Sequence, residues 1–473
     1  MSAPAAPAPG VARDLTEVLR ATGGTWLPGS APLPASVAGV SIDSRTLRAG
    51  ELFVAIRGER FDGHDFLAAA RQQGATAALV DRPLAAPDGL ALAQVSDTTL
   101  ALGELGRHAR QAFGAPVVAI TGSLGKTTTK EIAATLLGTL GPLLKTEGNL
   151  NNQYGLPLTL LRLLPEHRAA VLELGMNHAG ELRRLTGLAR PDVAVITCVA
   201  PVHLEFFDSL EAIAAAKAEV LEGLGPRGVA VLNADDERLR RLGGAHPGRV
   251  VWFGRERACD VSAENWRGSL AGMRFDLRLG GRVLDVALPL AGAHNLTNFL
   301  AAAAAAHVAG VAPEAIAAAA SRVGPAPHRG EVRRLADGVT LLDDCYNSNP
   351  AAVAAAVAAL GLSGARRRVA VLGDMLELGP EGPELHRQAG RGLAGQVELL
   401  AAVGPLAREI LAGAHQAGLP AEALLAFPDA AAAAAGLPAL VQPGDAVLVK
   451  GSRGVRLEAV VAALVERPGG EER

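Results

Sequence analysis

Residues 117–129 of the chain read VVAITGSLGKTTT. Val117, Val118, Ala119 and Ile120 form a continuous apolar run behind Pro116, the pattern of a strand covered on both faces. Gly122 and Gly125 free the backbone to turn tightly and present N–H groups, and Lys126 and Thr127 open a helix whose N-terminus favours an anion. A phosphate is the natural guest of this turn, cradled by Thr121, Gly122, Ser123, Gly125, Lys126, Thr127 and Thr128. The common phosphate loop places four residues between its first glycine and the Gly-Lys pair. Here that first position is Ile120, so the loop is a shorter variant.

Outward from the loop, 473 residues are too many for one core, and length alone suggests about three domains. Apolar residues make up 49% and charged ones 20%, which is ordinary for a globular chain. A net charge of -3 with no lysine- or arginine-dense tract argues against nucleic acid, so small molecules are the expected partners. Cys198, Cys259 and Cys345 are odd in number and far apart, which fits neither a disulfide framework nor a zinc site. A reducing cytoplasmic setting is expected. The opening MSAPAAPAPG lacks a basic n-region and an apolar core, and reads as a flexible lead-in. The Ala-rich tract 301–320 is broken by His307, Pro313 and Glu314, so no membrane insertion is expected.

Before the loop, residues 11 to about 112 read as a first domain. Strand-like runs at 39–42 and 52–56 flank a polar turn carrying Asp43, Ser44 and Arg45, which either grips a nucleotide-sugar or is a capped turn with a surface ion pair. The group Asp62, Gly63, His64 and Asp65 precedes a helix-like segment and fits an N-cap.

After the loop, apolar runs at 171–174, 193–199 and 229–232 are spaced for intervening helices, predicting a parallel sheet in a central domain ending near 325. Ligands gather at the carboxyl ends of such strands, where Glu173, His203, Asn233, Asp235 and Asp236 fall. Glu173 and His203 are candidate magnesium ligands beside Thr127. In SLEAIAAAKAEVLEGL, Lys217 occupies the helical stripe of Leu210, Ile213, Val220 and Leu224. Burial there favours the neutral amine, which can take up carbon dioxide as an anionic carbamate; the alternative is a snorkelling lysine at the edge of the stripe. Asn295 and Asn298 in GAHNLTN sit one turn apart near a helix start, and capping is their favoured role on spacing alone.

From about 327, runs at 339–342, 369–372, 399–403 and 446–449 alternate with helix-like segments, a doubly wound pattern. Their ends carry Asp343, Asp344, Tyr346 and Asn347, then Asp374 and Glu377, then Lys450, Ser452 and Arg453. Arg329, on the connection, either reaches a phosphate or lies on the surface.

Taken together, these stretches resemble the Mur ligase family over nearly the whole chain. The resemblance rests on DSRTLRAGELFVAIRG (43–58), DGHDF (62–66), TGSLGKTTTKE (121–131), EGNLNNQYGLP (147–157), ELGMNHAGE (173–181), HLEFF (203–207), GAHNLTN (292–298), DDCYNSNP (343–350), LGDMLELG (372–379) and VKGSRG (449–454). It implies an α/β protein of three domains: an N-terminal α/β substrate domain at 1–112, a central P-loop parallel sheet that binds ATP at 113–326, and a C-terminal Rossmann-like doubly wound sheet for the acceptor at 327–473. By that resemblance the reaction is ATP-dependent amide ligation through an acyl phosphate. The branch with the most similar DDCYNSNP segment joins UDP-N-acetylmuramoyl-tripeptide to D-alanyl-D-alanine in peptidoglycan precursor synthesis.

The resemblance also assigns residues. Thr127, Glu173, His203 and carbamylated Lys217 would organise Mg2+, with Lys126 and Arg329 stabilising the moving phosphoryl charge. Asn295, Arg329 and Asp344 would hold ATP, and Asp43, Ser44, Arg45, Asn149 and Asn152 the UDP-sugar peptide. Tyr346, Asn347, Asn349, Lys450 and Arg453 are candidates around the acceptor. A monomer is expected. The alternatives are the sister ligase that adds the third residue, whose diaminopimelate form carries an Asp-Asn-Pro-Arg signature absent here, a folylpolyglutamate synthase, and a non-catalytic nucleotide-binding regulator.

Overall fold

The computed structural model describes residues 11–202 and 205–467. By internal packing the described residues fall into two compact units. One lies within Met1–Ala119, Leu140–Ala194 and Glu219–Gly228, the other within Ile120–Thr139, Val195–Ala218 and Val229–Arg473.

The N-terminal sheet has five strands, ordered Thr25–Trp26, Ala91–Gln94, Ala77–Val80, Leu52–Val54 and Val40–Ser41, all neighbours parallel except the first pair. Side chains alternate between its faces. Leu79 joins Leu15, Val18, Leu102 and Leu105 on one side, while Ala78 and Val80 join Phe53, Leu67 and Leu92 on the other. The expected strand at 39–42 shrinks to Val40–Ser41, and Asp62 caps the short 3-10 turn Gly63–Phe66, as its sequence suggested.

The central sheet has nine strands. In order they are Arg282–Leu288, Gly272–Leu279, Val261–Ser269, Arg249–Gly254, Val229–Asn233, Val193–Ile196, Val117–Thr121, Ala169–Glu173 and Leu143–Lys145. Every residue of Val117–Thr121 is buried, as the uninterrupted apolar run requires. Beyond the expected parallel strands, Val261–Ser269 pairs parallel with Arg249–Gly254, and from there Gly272–Leu279 and Arg282–Leu288 continue the edge as an antiparallel meander. The reason lies in MRFDLRL, whose alternate residues are buried and exposed, and in Gly280 and Gly281, whose φ of +58° and +74° fit a two-residue hairpin turn.

The C-terminal sheet is ordered Glu331–Arg334, Thr340–Asp343, Ala446–Lys450, Arg368–Gly373, Leu399–Val403 and Leu424–Phe427, parallel beyond its first, antiparallel pair. Helices Pro350–Gly361 and Arg408–Gln416 pack on Ala370, Leu372 and Leu448, and helix Glu458–Glu466 on Val369, Val371 and Val447. The doubly wound expectation holds. Asp343, Gly373 and Lys450 end three adjacent strands, so their loops share one edge. Among the described residues, no helix is long and apolar enough to cross a membrane.

Candidate active site

The phosphate loop is held from behind. Ser123 donates its N–H to the Cys198 carbonyl at 2.9 Å and its Oγ–H to the Ala200 carbonyl at 3.1 Å, while Thr197 Oγ1 donates to the Leu124 carbonyl at 2.5 Å. Asn233 in turn donates to the Thr197 carbonyl at 3.0 Å. Both loop glycines are sterically required: Gly122 (φ +146°) and Gly125 (φ +77°) would each drive a Cβ into a side-chain oxygen, Thr197 Oγ1 and Asn298 Oδ1 respectively. Gly125 caps helix Lys126–Leu137 without a side-chain acceptor, which leaves its first N–H groups to an anion. The Lys126 ammonium folds back on the loop, donating to the Gly122 carbonyl at 2.8 Å. The Thr121 hydroxyl is buried with no hydrogen-bond partner among the described residues.

Lys217 lies on helix Leu210–Ala218 and is 1% exposed, so the inward-pointing reading of the stripe is correct and the snorkelling one is not. Burial, reinforced by the Lys126 charge, brings its amine down to about 7. Cys198, in the same unit, has its thiol pushed up by burial. His203 lies outside the described residues.

Glu173 ends the strand Ala169–Glu173 and is buried. One carboxylate oxygen accepts from Asn151 Nδ2 at 2.9 Å, and the other has no partner among the described residues. An orphaned buried carboxylate oxygen suits a hard divalent cation, so the residues present fit Mg2+. Asn151, which orients this carboxylate, stands between Asn149 and Asn152 in EGNLNNQYGLP with nothing in the local sequence to single it out.

Asn295 and Asn298 do not cap their helix. Gly292 is the cap residue of Ala293–Val308, and no side chain caps there. Both amides are buried instead: Asn295 donates to the Ala291 carbonyl at 2.8 Å, and Asn298 donates to Asn295 Oδ1 at 3.2 Å. Helical geometry puts them one above the other, and Asn298 Oδ1 also accepts from Thr129 at 3.4 Å.

In the N-terminal unit, Asp43, Ser44 and Arg45 line a cavity of about 910 Å³ together with Phe53, Phe61 and Phe66. Arg45 binds Asp43 through two N–H groups, at 2.9 and 2.7 Å, so the ion pair expected of a capped turn and the cavity wall are the same residues. Asn149 and Asn152 are not on this lining, although Glu147 and Leu150 are. Asn152 Oδ1 accepts from the Tyr154 and Gly155 N–H groups at 3.1 and 2.9 Å, a helix-start role.

On the C-terminal edge, Lys450 is buried and its ammonium meets Asp344 Oδ2 at 2.5 Å and the Asn347 carbonyl at 3.1 Å. The Arg329 guanidinium stands 4.1 Å above the Tyr346 ring centroid and that of Arg453 lies 5.4 Å from it. Arg329 is therefore part of this cluster and not an isolated surface group. Asn349 caps helix Pro350–Gly361, its Oδ1 accepting from Ala352 N–H at 2.9 Å, and Asn347 Oδ1 accepts from Ser348 N–H at 2.9 Å.

Three domain profiles match the chain: the Mur ligase family catalytic domain at residues 36–110, the Mur ligase middle domain at 120–306, and the Mur ligase glutamate ligase domain at 328–453. The UDP-N-acetylmuramoyl-tripeptide–D-alanyl-D-alanine ligase of Escherichia coli (strain K12) is 41% identical, covering 90% of this chain and 93% of its own. MurF from Acinetobacter baumannii superimposes with a TM-score of 0.90 at 35% identity, over 97% of this chain and 100% of its own. MurF ligase from Thermotoga maritima, solved in complex with ADP, gives 0.79 at 31% identity, over 90% and 96%. Fold and loop thus define an ATP-dependent, amide-forming ligase. The three profiles follow one another along the chain, consistent with the three-domain α/β fold expected. The chain belongs to the Mur ligase family.

Proposed function

We propose that this chain joins D-alanyl-D-alanine to UDP-N-acetylmuramoyl-tripeptide at the cost of ATP, in peptidoglycan precursor synthesis. A carboxylate is a poor electrophile until one oxygen becomes part of a leaving group. Transfer of the ATP γ-phosphoryl group to the terminal carboxylate of the tripeptide gives an acyl phosphate and ADP. The free amine of the dipeptide then attacks the acyl carbon, and phosphate departs as the amide forms.

In this reading, the loop N–H groups of residues 122–128 hold the nucleotide phosphates and Lys126 swings from the Gly122 carbonyl onto them. Thr127, Glu173, His203 and carbamylated Lys217 would hold Mg2+, which would supply charge neutralisation to the phosphates. Asn295, Arg329 and Asp344 bind the rest of ATP. Asp43, Ser44 and Arg45 take the UDP-sugar in the 910 Å³ cavity, with Asn149 and Asn152 serving the peptide portion. Tyr346, Asn347, Lys450 and Arg453 face the acceptor, and Asn349 contributes by fixing the helix behind them. The domains divide at 1–112, 113–326 and 327–473, and the enzyme acts as a cytoplasmic monomer where its nucleotide substrates are made.

The observation that carries this reading is the likeness, over nine-tenths of the chain, to a ligase named for these two substrates, joined in one compact unit by a phosphate loop and the fully buried Lys217. Phosphate release measured with each substrate in turn tests it. Release should require ATP, a divalent cation, UDP-N-acetylmuramoyl-tripeptide and D-alanyl-D-alanine together. Turnover indifferent to the acceptors would mark a nucleotide switch, and preference for a folate would overturn the substrate assignment.

A further inference from the structure

Where the connection to the last domain enters its sheet, His328, Asp343 and Cys345 converge. His328 Nδ1 lies 2.8 Å from Asp343 Oδ2, and Cys345 accompanies them with all three ligand atoms within 4.8 Å of one another. Asp343 and Cys345 are buried, and the His328 side chain is 30% exposed, which leaves one open approach. None of the three has a role in the ligation chemistry above.

We propose that this cluster is a binding site for a single thiophilic divalent ion of the Zn2+ class, distinct from the Mg2+ of the reaction. The donor set decides the class. One imidazole nitrogen, one carboxylate oxygen and one thiolate sulfur match a borderline-soft ion with three protein ligands and a fourth position for water, whereas Mg2+ prefers oxygen alone. Tetrahedral bonds of about 2.0–2.3 Å place ligand atoms roughly 3.3–3.8 Å apart. His328 and Asp343 must therefore open by about half an ångström and Cys345 close in by up to about one, within reach of side-chain torsions. The neighbouring cation, Arg333, has its Nη2 3.5 Å from Asp343 Oδ2 and closer, at 3.2 Å, to Glu331. On binding, the metal replaces the thiol proton, which passes to solvent, and no electrons move.

Cd2+ titration of the full chain reads the site directly through its thiolate charge-transfer absorbance. The expected result is one Cd2+ per chain, undisplaced by excess Mg2+, lost in Cys345→Ser, at least tenfold weaker in His328→Gln and unchanged in Cys198→Ser and Cys259→Ser. Absence of the band in the native protein, its persistence in Cys345→Ser, or displacement by Mg2+ would overturn the proposal. Because Cys345 is buried, a second measurement guards against misfolding: Zn2+ should raise the melting temperature of the native protein but not of His328→Gln, whose changed side chain is partly solvent-exposed. An equal rise in both would also refute the site.

Discussion

Replacing Lys217 by methionine should make the protein more stable and inactive. The lysine is 1% exposed and its amine is held at about 7, against an ordinary value of 10.5. The folded pKa is the lower one, so the unfolded chain binds more protons and the native state carries a penalty. That penalty is full below pH 7, shrinks as pH rises toward 10.5 and vanishes above it. At pH 8 the gap of 2.5 units corresponds to about 3 kcal/mol at roughly 1.4 kcal/mol per unit. Methionine fills similar volume without a charge, so Lys217→Met should gain about that much at pH 8 and almost nothing at pH 10.5. Urea unfolding of both proteins across this range, in bicarbonate-free buffer, measures the difference. At pH 7 about half of the native amine is neutral, roughly a thousandfold more than for a solvated lysine, and 13C-bicarbonate should give a carbamate resonance absent from the variant. A variant that is less stable, or a difference independent of pH, would refute the burial argument. Full ligase activity in Lys217→Ala, or its failure to recover with a small added carboxylate, would refute the carbamate.

Gly125→Ala must take φ +77° with its Cβ against Asn298 Oδ1; a loss of about 2 kcal/mol and at least a tenfold rise in the KM for ATP are expected from melting and initial-rate measurements. Asp344→Ala leaves the buried Lys450 ammonium without its carboxylate and should cost about 3 kcal/mol in urea, with much of it restored by the second change Lys450→Met. Asp43→Ala should raise the KM for the UDP-linked substrate about tenfold and leave that for ATP unaltered, since its side chain forms the wall of the N-terminal cavity; steady-state kinetics with each substrate varied will tell.

The elements that were legible in the sequence are those whose residues carry their own reason. The run from Val117 to Ile120 has no polar face to offer water, and Lys217 interrupts an apolar stripe, which left burial and snorkelling open until the fold showed it buried. The antiparallel edge at 261–288 was legible too, since MRFDLRL alternates apolar and charged residues with a period of two and Gly280-Gly281 offers a hairpin turn. Amides were hardest to read. Asn149, Asn151 and Asn152 are chemically identical, and only the fold reveals that Asn151 meets Glu173 while Asn152 tends a helix start. Asn295 and Asn298 looked like caps because local spacing allows it; in the fold they bond Ala291 and each other within their own helix start, and only the contact of Asn298 with Thr129 comes from a distant helix.

That last contact bears on how the protein comes into being. The loop around Gly125 rests against Asn298, a residue synthesised long after it, and helix Ala293–Val308 packs on helix Lys126–Leu137. A nascent chain that has emerged only as far as the central strands holds every letter of the phosphate motif but lacks the surface that shapes it. The native surroundings of the loop are therefore complete only once the second helix has been synthesised.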